Sequence, residues 1–144
     1  MAKKSKSSKK ATLKPIPTPE EIAAKKEATR LKRAQSRVIT DISSHVQVHS
    51  TLFPDYTNWY CGITKHEDAK IRIQQHMKTK KTPALYPIVR NALTMENANS
   101  VERHFSNLKM TNAPHKGGAT SESIYVYAFK RHPNFVESLL LLLS

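Results

Sequence analysis

Trp59-Tyr60-Cys61-Gly62-Ile63-Thr64 is the stretch that decides the fold. Its aromatic and apolar run begins after the turn-forming Pro54-Asp55-Tyr56-Thr57-Asn58 and ends before His66-Glu67-Asp68, which predicts a strand covered on both faces. Side chains alternate along a strand, so Tyr60 and Gly62 project to the same side. With no Cβ, Gly62 lets a backbone or a ligand come close beside the Tyr60 ring.

Working outward, the next segment predicts a basic helix over 67–79, its acids placed at the positive end of the helix dipole. Arg72 and His76 are four residues apart and share a face, with Ala69, Ile73 and Met77 as the opposing apolar stripe. Pro83 and Pro87 interrupt the chain beyond this helix, and Tyr86, Ile88, Val89, Ala92 and Leu93 are expected in a short helix or an irregular element. Ala98, Val101, Phe105 and Leu108 recur at helical spacing over 97–110, with Glu102 one position off the stripe, at the border of a cleft. Residues 124–129 alternate aromatic and aliphatic side chains and read as a second strand. A short helix carrying Phe135, Val136 and Leu139-Leu140-Leu141-Leu142-Leu143 closes the pattern, either completing the core or meeting a partner. The fold class is α+β: a small antiparallel sheet, made largely from 59–64 and 124–129, flanked by helices. The helices over 67–79 and 97–110 are expected to pack together over it.

The other side of the strand reads differently. The 144-residue chain carries a formal net charge of +13, to which residues 1–14 contribute +6 without a single acid, residues 15–37 add +3 and residues 38–144 add +4. The head lacks the apolar side chains needed to offset its ordering entropy, so residues 1–14 read as disordered. Pro15, Pro17 and Pro19 stiffen the next stretch, and Thr18-Pro19-Glu20-Glu21 is a strong helix opening. The helix it starts runs over 20–37 with only a thin apolar edge at Ile22, Leu31 and Val38, and belongs on a surface or a partner. Residues 38–53 fit a helix at first, with Val46-Gln47-Val48 readable as the start of a strand. These features divide the chain into a basic tail and helix over 1–37 and a folded domain over 38–144.

A cationic leader of this kind attracts polyanions through counterion release, which needs no docking geometry. Nucleic acid is the leading partner class, DNA ahead of RNA. Anionic membrane, acidic protein, and a solubilising or nuclear-address role are the alternatives. The candidate contacts are Lys3, Lys4, Lys6, Lys9, Lys10, Lys14, Lys25, Lys26, Arg30, Lys32 and Arg33, joined by Lys70 and Lys78 on the later helix. The single cysteine, Cys61, excludes an intrachain disulfide and a cysteine-based zinc cluster, which fits a reducing, intracellular setting. No apolar stretch reaches transmembrane length and no secretory apolar region follows Met1.

Tyr60, Arg72, His76 and Glu102 are the candidate catalytic residues. An arginine can neutralise a phosphate oxygen through two parallel hydrogen bonds, a histidine can position water or move protons, and a carboxylate can hold Mg2+ or Mn2+. Each also has a plain structural role. Tyr60 suits the core, Arg72 solvates a basic helix, His76 caps or pairs at a helix end, and Glu102 pairs with Arg103 or Lys109. His104 and His115 do not complete a metal cluster, and Gly117-Gly118 lacks the Gly-Lys-Ser/Thr ending of a phosphate loop. Tyr125 and Tyr127 share a strand face and read as sheet packing rather than as a base-stacking platform.

The strand with Tyr60-Cys61-Gly62, followed by Arg72, His76 and the later Glu102, resembles the GIY-YIG nuclease superfamily over residues 56–129. Tyr60-Cys61-Gly62 is similar to the second half of the name motif. Lys116-Gly117-Gly118 and Ile124-Tyr125-Val126-Tyr127 resemble features of small phage-encoded relatives. The resemblance implies a metal-dependent DNA endonuclease in which Arg72, His76 and Tyr60 serve the phosphate and Glu102 holds the Mg2+ or Mn2+. No Gly-Ile-Tyr half precedes Tyr60, since Val46-Gln47-Val48 has neither the glycine nor the tyrosine, and Asn112 is the nearest residue to the family's last asparagine. The alternative is a noncatalytic nucleic-acid-binding or virion structural protein on the same fold, contacting virion partners through the leader and the terminal helix.

Overall fold

The computed structural model describes residues 11–51, 53–67, 69–80, 83–112, 120–133 and 135–144, without the side chains of Thr79, Lys80 and Phe135. Lys3, Lys4, Lys6, Lys9 and Lys10 lie outside the described residues, as do His115 and the Gly117-Gly118 pair.

Helix α1 spans Pro19–Val48. Thr18 opens it with a reciprocal cap: its hydroxyl accepts from the Glu21 amide at 3.2 Å, and its own amide donates to the Glu21 carboxylate at 2.8 Å. The expected boundary near residue 37 falls inside this one helix. Residues 11–30 are exposed throughout, whereas Val38, Ile42 and Val46, spaced four apart, are buried. Val46-Gln47-Val48 is therefore the last turn of the helix rather than a strand, because Val46 continues a helical apolar stripe.

A single 3-10 turn over Tyr56–Asn58, capped by Asp55, delivers the chain into β1, Trp59–Thr64. Helix α2 covers Lys70–Lys80, β2 Leu85–Asn91, α3 Met95–Asn107, β3 Tyr125–Lys130 and α4 Phe135–Leu143. The three strands form an antiparallel sheet in the order β1-β3-β2. Central β3 pairs Trp59 with Lys130 and Gly62 with Tyr127 on one side, and Ile88 with Ala128 on the other. The free edge of β1 is closed by Thr111, whose amide and carbonyl bond Trp59 and Cys61 at 3.0 Å each.

The segment that follows Pro83 and contains Pro87 is an edge strand, not the short helix or irregular element expected from its prolines. Proline lacks an amide to donate, so in a sheet it is confined to edges and bulges. Pro87 sits where the register slips between Leu85 and Ile88, and the preceding Tyr86 adopts a positive φ of 51°.

Two apolar layers sandwich the sheet. Trp59, Cys61, Ile88, Val126 and Ala128 face α1 and α3, meeting Val38, Ile42, Val46, Ala98, Val101 and Phe105. Tyr60, Tyr127 and Phe129 face the other way and meet Ala69 and Ile73 of the α2 segment. The helices α2 and α3 thus lie on opposite faces, rather than side by side over one. Helix α4 is fixed by a buried ion pair: the Lys130 ammonium lies 3.0 Å from the Glu137 carboxylate and donates to the His49 carbonyl at 3.2 Å. No helix among the described residues is long and apolar enough to cross a membrane.

Candidate functional site

The α2 face of the sheet carries an aromatic group built around β1 and β3. Period-two alternation places Tyr60 and Gly62 of β1 on this face with Tyr127 and Phe129 of β3. The Tyr60 ring stacks on Phe129 with centroids 5.1 Å apart and lies 4.4 Å from the His76 ring. Gly62 makes room for Tyr127: a Cβ at that position would sit 2.5 Å from the Tyr127 hydroxyl and 2.6 Å from its ring carbon. The close approach expected at Gly62 is real, and a tyrosine from the neighbouring strand fills it.

His76 enters from α2, and its Nε2 shares a 2.9 Å hydrogen bond with the Tyr127 hydroxyl. Tyr127 is also hydrogen-bonded by the Tyr60 side chain. Burial pushes the Tyr127 hydroxyl far above the ordinary phenol range, the neighbouring Tyr60 adds to this, and Arg72 opposes it. Arg72 is exposed on α2 and donates to Gln75 at 3.2 Å. Tyr60, at 3% exposure, is a core residue as well as a member of this group.

Glu102 stands elsewhere. It belongs to α3, is only 3% exposed, and its charge raises the pKa of the Cys61 thiol, second to burial. Cys61 points to the α1–α3 layer, so the sheet separates this neighbourhood from His76. The structure brings together Tyr60 and His76, sets Arg72 on the same helix as His76, and does not bring Glu102 to them. A divalent magnesium-like ion keeps several of its waters. Glu102 is buried as packed, and no cluster of three or more His, Cys, Asp or Glu side chains occurs among the described residues.

Tyr127 is the member that sequence reading assigned only to packing. The signal was present in the antiparallel pairing, where a glycine in one strand stands opposite a large ring in the next.

A second surface is cationic. Lys14, Lys25, Lys26, Arg30, Lys32 and Arg33 are all exposed, as are Lys70 and Lys78 on α2. Arg30 forms a 2.8 Å pair with Glu27 in which both side chains are more than half exposed, so it adds little stability and does not withdraw Arg30 from solvent.

The fold and these two surfaces define a small α+β domain with a cationic helical arm. Compared with known proteins, the chain matches no family model, no curated protein and no solved structure.

Proposed function

We propose that this chain binds nucleic acid, DNA in the first instance, through the exposed half of α1 and without cleaving it. The observation that carries the reading is that residues 11–30 bury nothing while the helix they lead into presents Lys25, Lys26, Arg30, Lys32 and Arg33 to solvent. A helix that is polar all round lacks a core to join and serves a partner or solvent instead. Its cations, spread over about two and a half turns, match a phosphate backbone by charge alone. Lys14 and the cations of α2 extend the same character. Contacts of this kind fix affinity without choosing a base sequence or a sugar, so RNA binds by the same term.

A second reading, a divalent-metal-dependent DNA endonuclease on a GIY-YIG-like fold, is favoured by a different observation: Tyr60, His76 and Tyr127 form one hydrogen-bonded and stacked group with Arg72 on the same helix as His76. A central antiparallel sheet with helices on both faces supports that likeness. The obstacle is Glu102, which has to leave its packed place beside Cys61 to reach a phosphate on the α2 face.

The experiment that separates them uses the full-length chain with single- and double-stranded DNA, with and without magnesium or manganese. Binding in either condition with no cleavage supports the first reading. Metal-dependent cleavage that disappears in Glu102→Gln replaces it with the second, and absence of salt-sensitive binding defeats both.

A further inference from the structure

Helix α4 is the apolar element that the fold leaves uncovered. Its only ionisable residue, Glu137, is turned to Lys130 at 3.0 Å, so beyond its first turn the helix offers solvent no charge. Neither apolar cluster includes an α4 side chain among the described residues. Val136 and every residue from Leu139 to Leu143 are exposed, Leu142 and Leu143 at 83% and 80%. Successive residues of a helix step by about 100°, so these five leucines go once round the axis and leave no polar side. A contiguous exposed apolar surface of this kind marks an interaction site.

We infer that α4 lodges in the surface of an anionic lipid bilayer, at the boundary between headgroups and acyl chains. Two observations choose lipid over a second copy of the chain. A packed helix covers one side of α4, whereas acyl chains close around all of it. The net charge of +13 sets copies of the chain against each other and draws each of them to an anionic surface. One of these cations, the half-buried Arg131, stands at the root of the helix. Val136 to Leu143 rises about 12 Å against a hydrocarbon core of about 30 Å, so the helix enters one leaflet and does not span. At that depth the last carbonyls stay within reach of water, and the Leu141 carbonyl already accepts from the Ser144 hydroxyl at 3.2 Å. Leucine side chains offer no donor to a nucleic-acid phosphate. The surface shares no residue with α1, so it stands or falls separately from the proposed function.

The test is flotation of the full-length chain with vesicles of equal parts phosphatidylcholine and phosphatidylserine, compared with pure phosphatidylcholine. Binding should be saturable on the mixed vesicles and severalfold weaker on phosphatidylcholine. Leu140→Gln, Leu142→Gln and Leu143→Gln together keep good helix formers at exposed positions, so the denaturant midpoint should hold. The same triple variant should bind the mixed vesicles about tenfold more weakly, or less tightly still. Attachment through the α1 cations is told apart with a polarity-sensitive dye on Leu142→Cys, since Cys61 is buried and stays unlabelled. Its emission should shift to the blue on the mixed vesicles. A folded triple variant that floats as well as wild type, or a dye that does not shift, overturns the inference. So does equal binding to both kinds of vesicle, or a wild type that leaves them unbound and pairs with itself in sedimentation instead.

Discussion

His76 on α2 and Tyr127 on central β3, 51 residues apart in sequence, meet in a 2.9 Å hydrogen bond between ring nitrogen and hydroxyl. This bond ties the helix to the sheet on the face where apolar packing is thin, since Ala69 and Ile73 are the buried apolar residues of the α2 segment. Tyr127→Phe removes the hydroxyl but keeps the ring over Gly62. The expected cost is about 1–3 kcal/mol, because the hydroxyl bonds both His76 and Tyr60, read as a lower denaturant midpoint with an unchanged slope.

Gly62 is the tighter constraint. Gly62→Ala places a methyl group 2.5 Å from the Tyr127 hydroxyl and 2.6 Å from its ring carbon, so the ring must move. Overpacking of this sort costs about 1–3 kcal/mol. Adding Tyr127→Phe should relieve only part of the loss, because the ring carbon remains too close. Urea unfolding of the two single variants and the double variant measures that coupling.

Lys130 and Glu137 make a pair whose side chains are 7% and 11% exposed. Glu137→Ala leaves a buried ammonium with a single carbonyl acceptor, and the expected loss is about 3 kcal/mol or more. Replacing both partners, as in Lys130→Met with Glu137→Leu, should cost much less than the single change, because no uncompensated charge stays behind. Since neither apolar cluster contains an α4 side chain among the described residues, Glu137→Ala should also free α4, detected as faster amide exchange over Phe135–Leu143.

His49 sets the acid response. Its ring stacks on Tyr86 at 3.9 Å, and burial lowers its pKa first, with the nearby His45 and Lys130 adding to this and Glu137 opposing. A base whose folded pKa lies below the unfolded value of 6.5 favours folding fully above that value. As pH falls below about 6.5 the unfolded chain takes up the proton first, and stability declines until the folded pKa is passed. Denaturation midpoints should therefore fall between neutral and mildly acidic pH. His49→Phe, which keeps a ring against Tyr86, should flatten that decline.

How much of this was legible beforehand depends on which interactions are local. The strand at residues 59–64, the Thr18 cap and the stripe of Ala98, Val101 and Phe105 depend on neighbours a few positions away, and they appear where period and capping rules put them. β2 was hidden because Pro87 and the positive φ of Tyr86 are tolerated only through pairing with β3, some forty residues further on. The layer that each helix joins was not legible either. Arg72 and Glu102 each sit on a helix with an apolar stripe, and nothing local says that α2 and α3 take opposite faces. Tyr60 and His76 came together because the strand and the following helix are joined by a short connection, while the distant Glu102 did not join them.

The cationic half of α1 gives the last expectation. Each phosphate contact made by a lysine or arginine releases counterions, so the logarithm of affinity falls linearly with the logarithm of salt at a slope of about −0.9 per contact on duplex DNA. Changing Lys25, Lys26, Arg30, Lys32 and Arg33 together to glutamine keeps good helix formers at exposed positions and leaves Val38, Ile42 and Val46 untouched. Thermal stability should change little, while the salt slope becomes shallower by up to about 4.5, the sum for five contacts. Fluorescence anisotropy of a labelled duplex over a salt series reads the slope directly. An unchanged slope would show that α1 is not the surface that meets the phosphates, whatever the rest of the chain does.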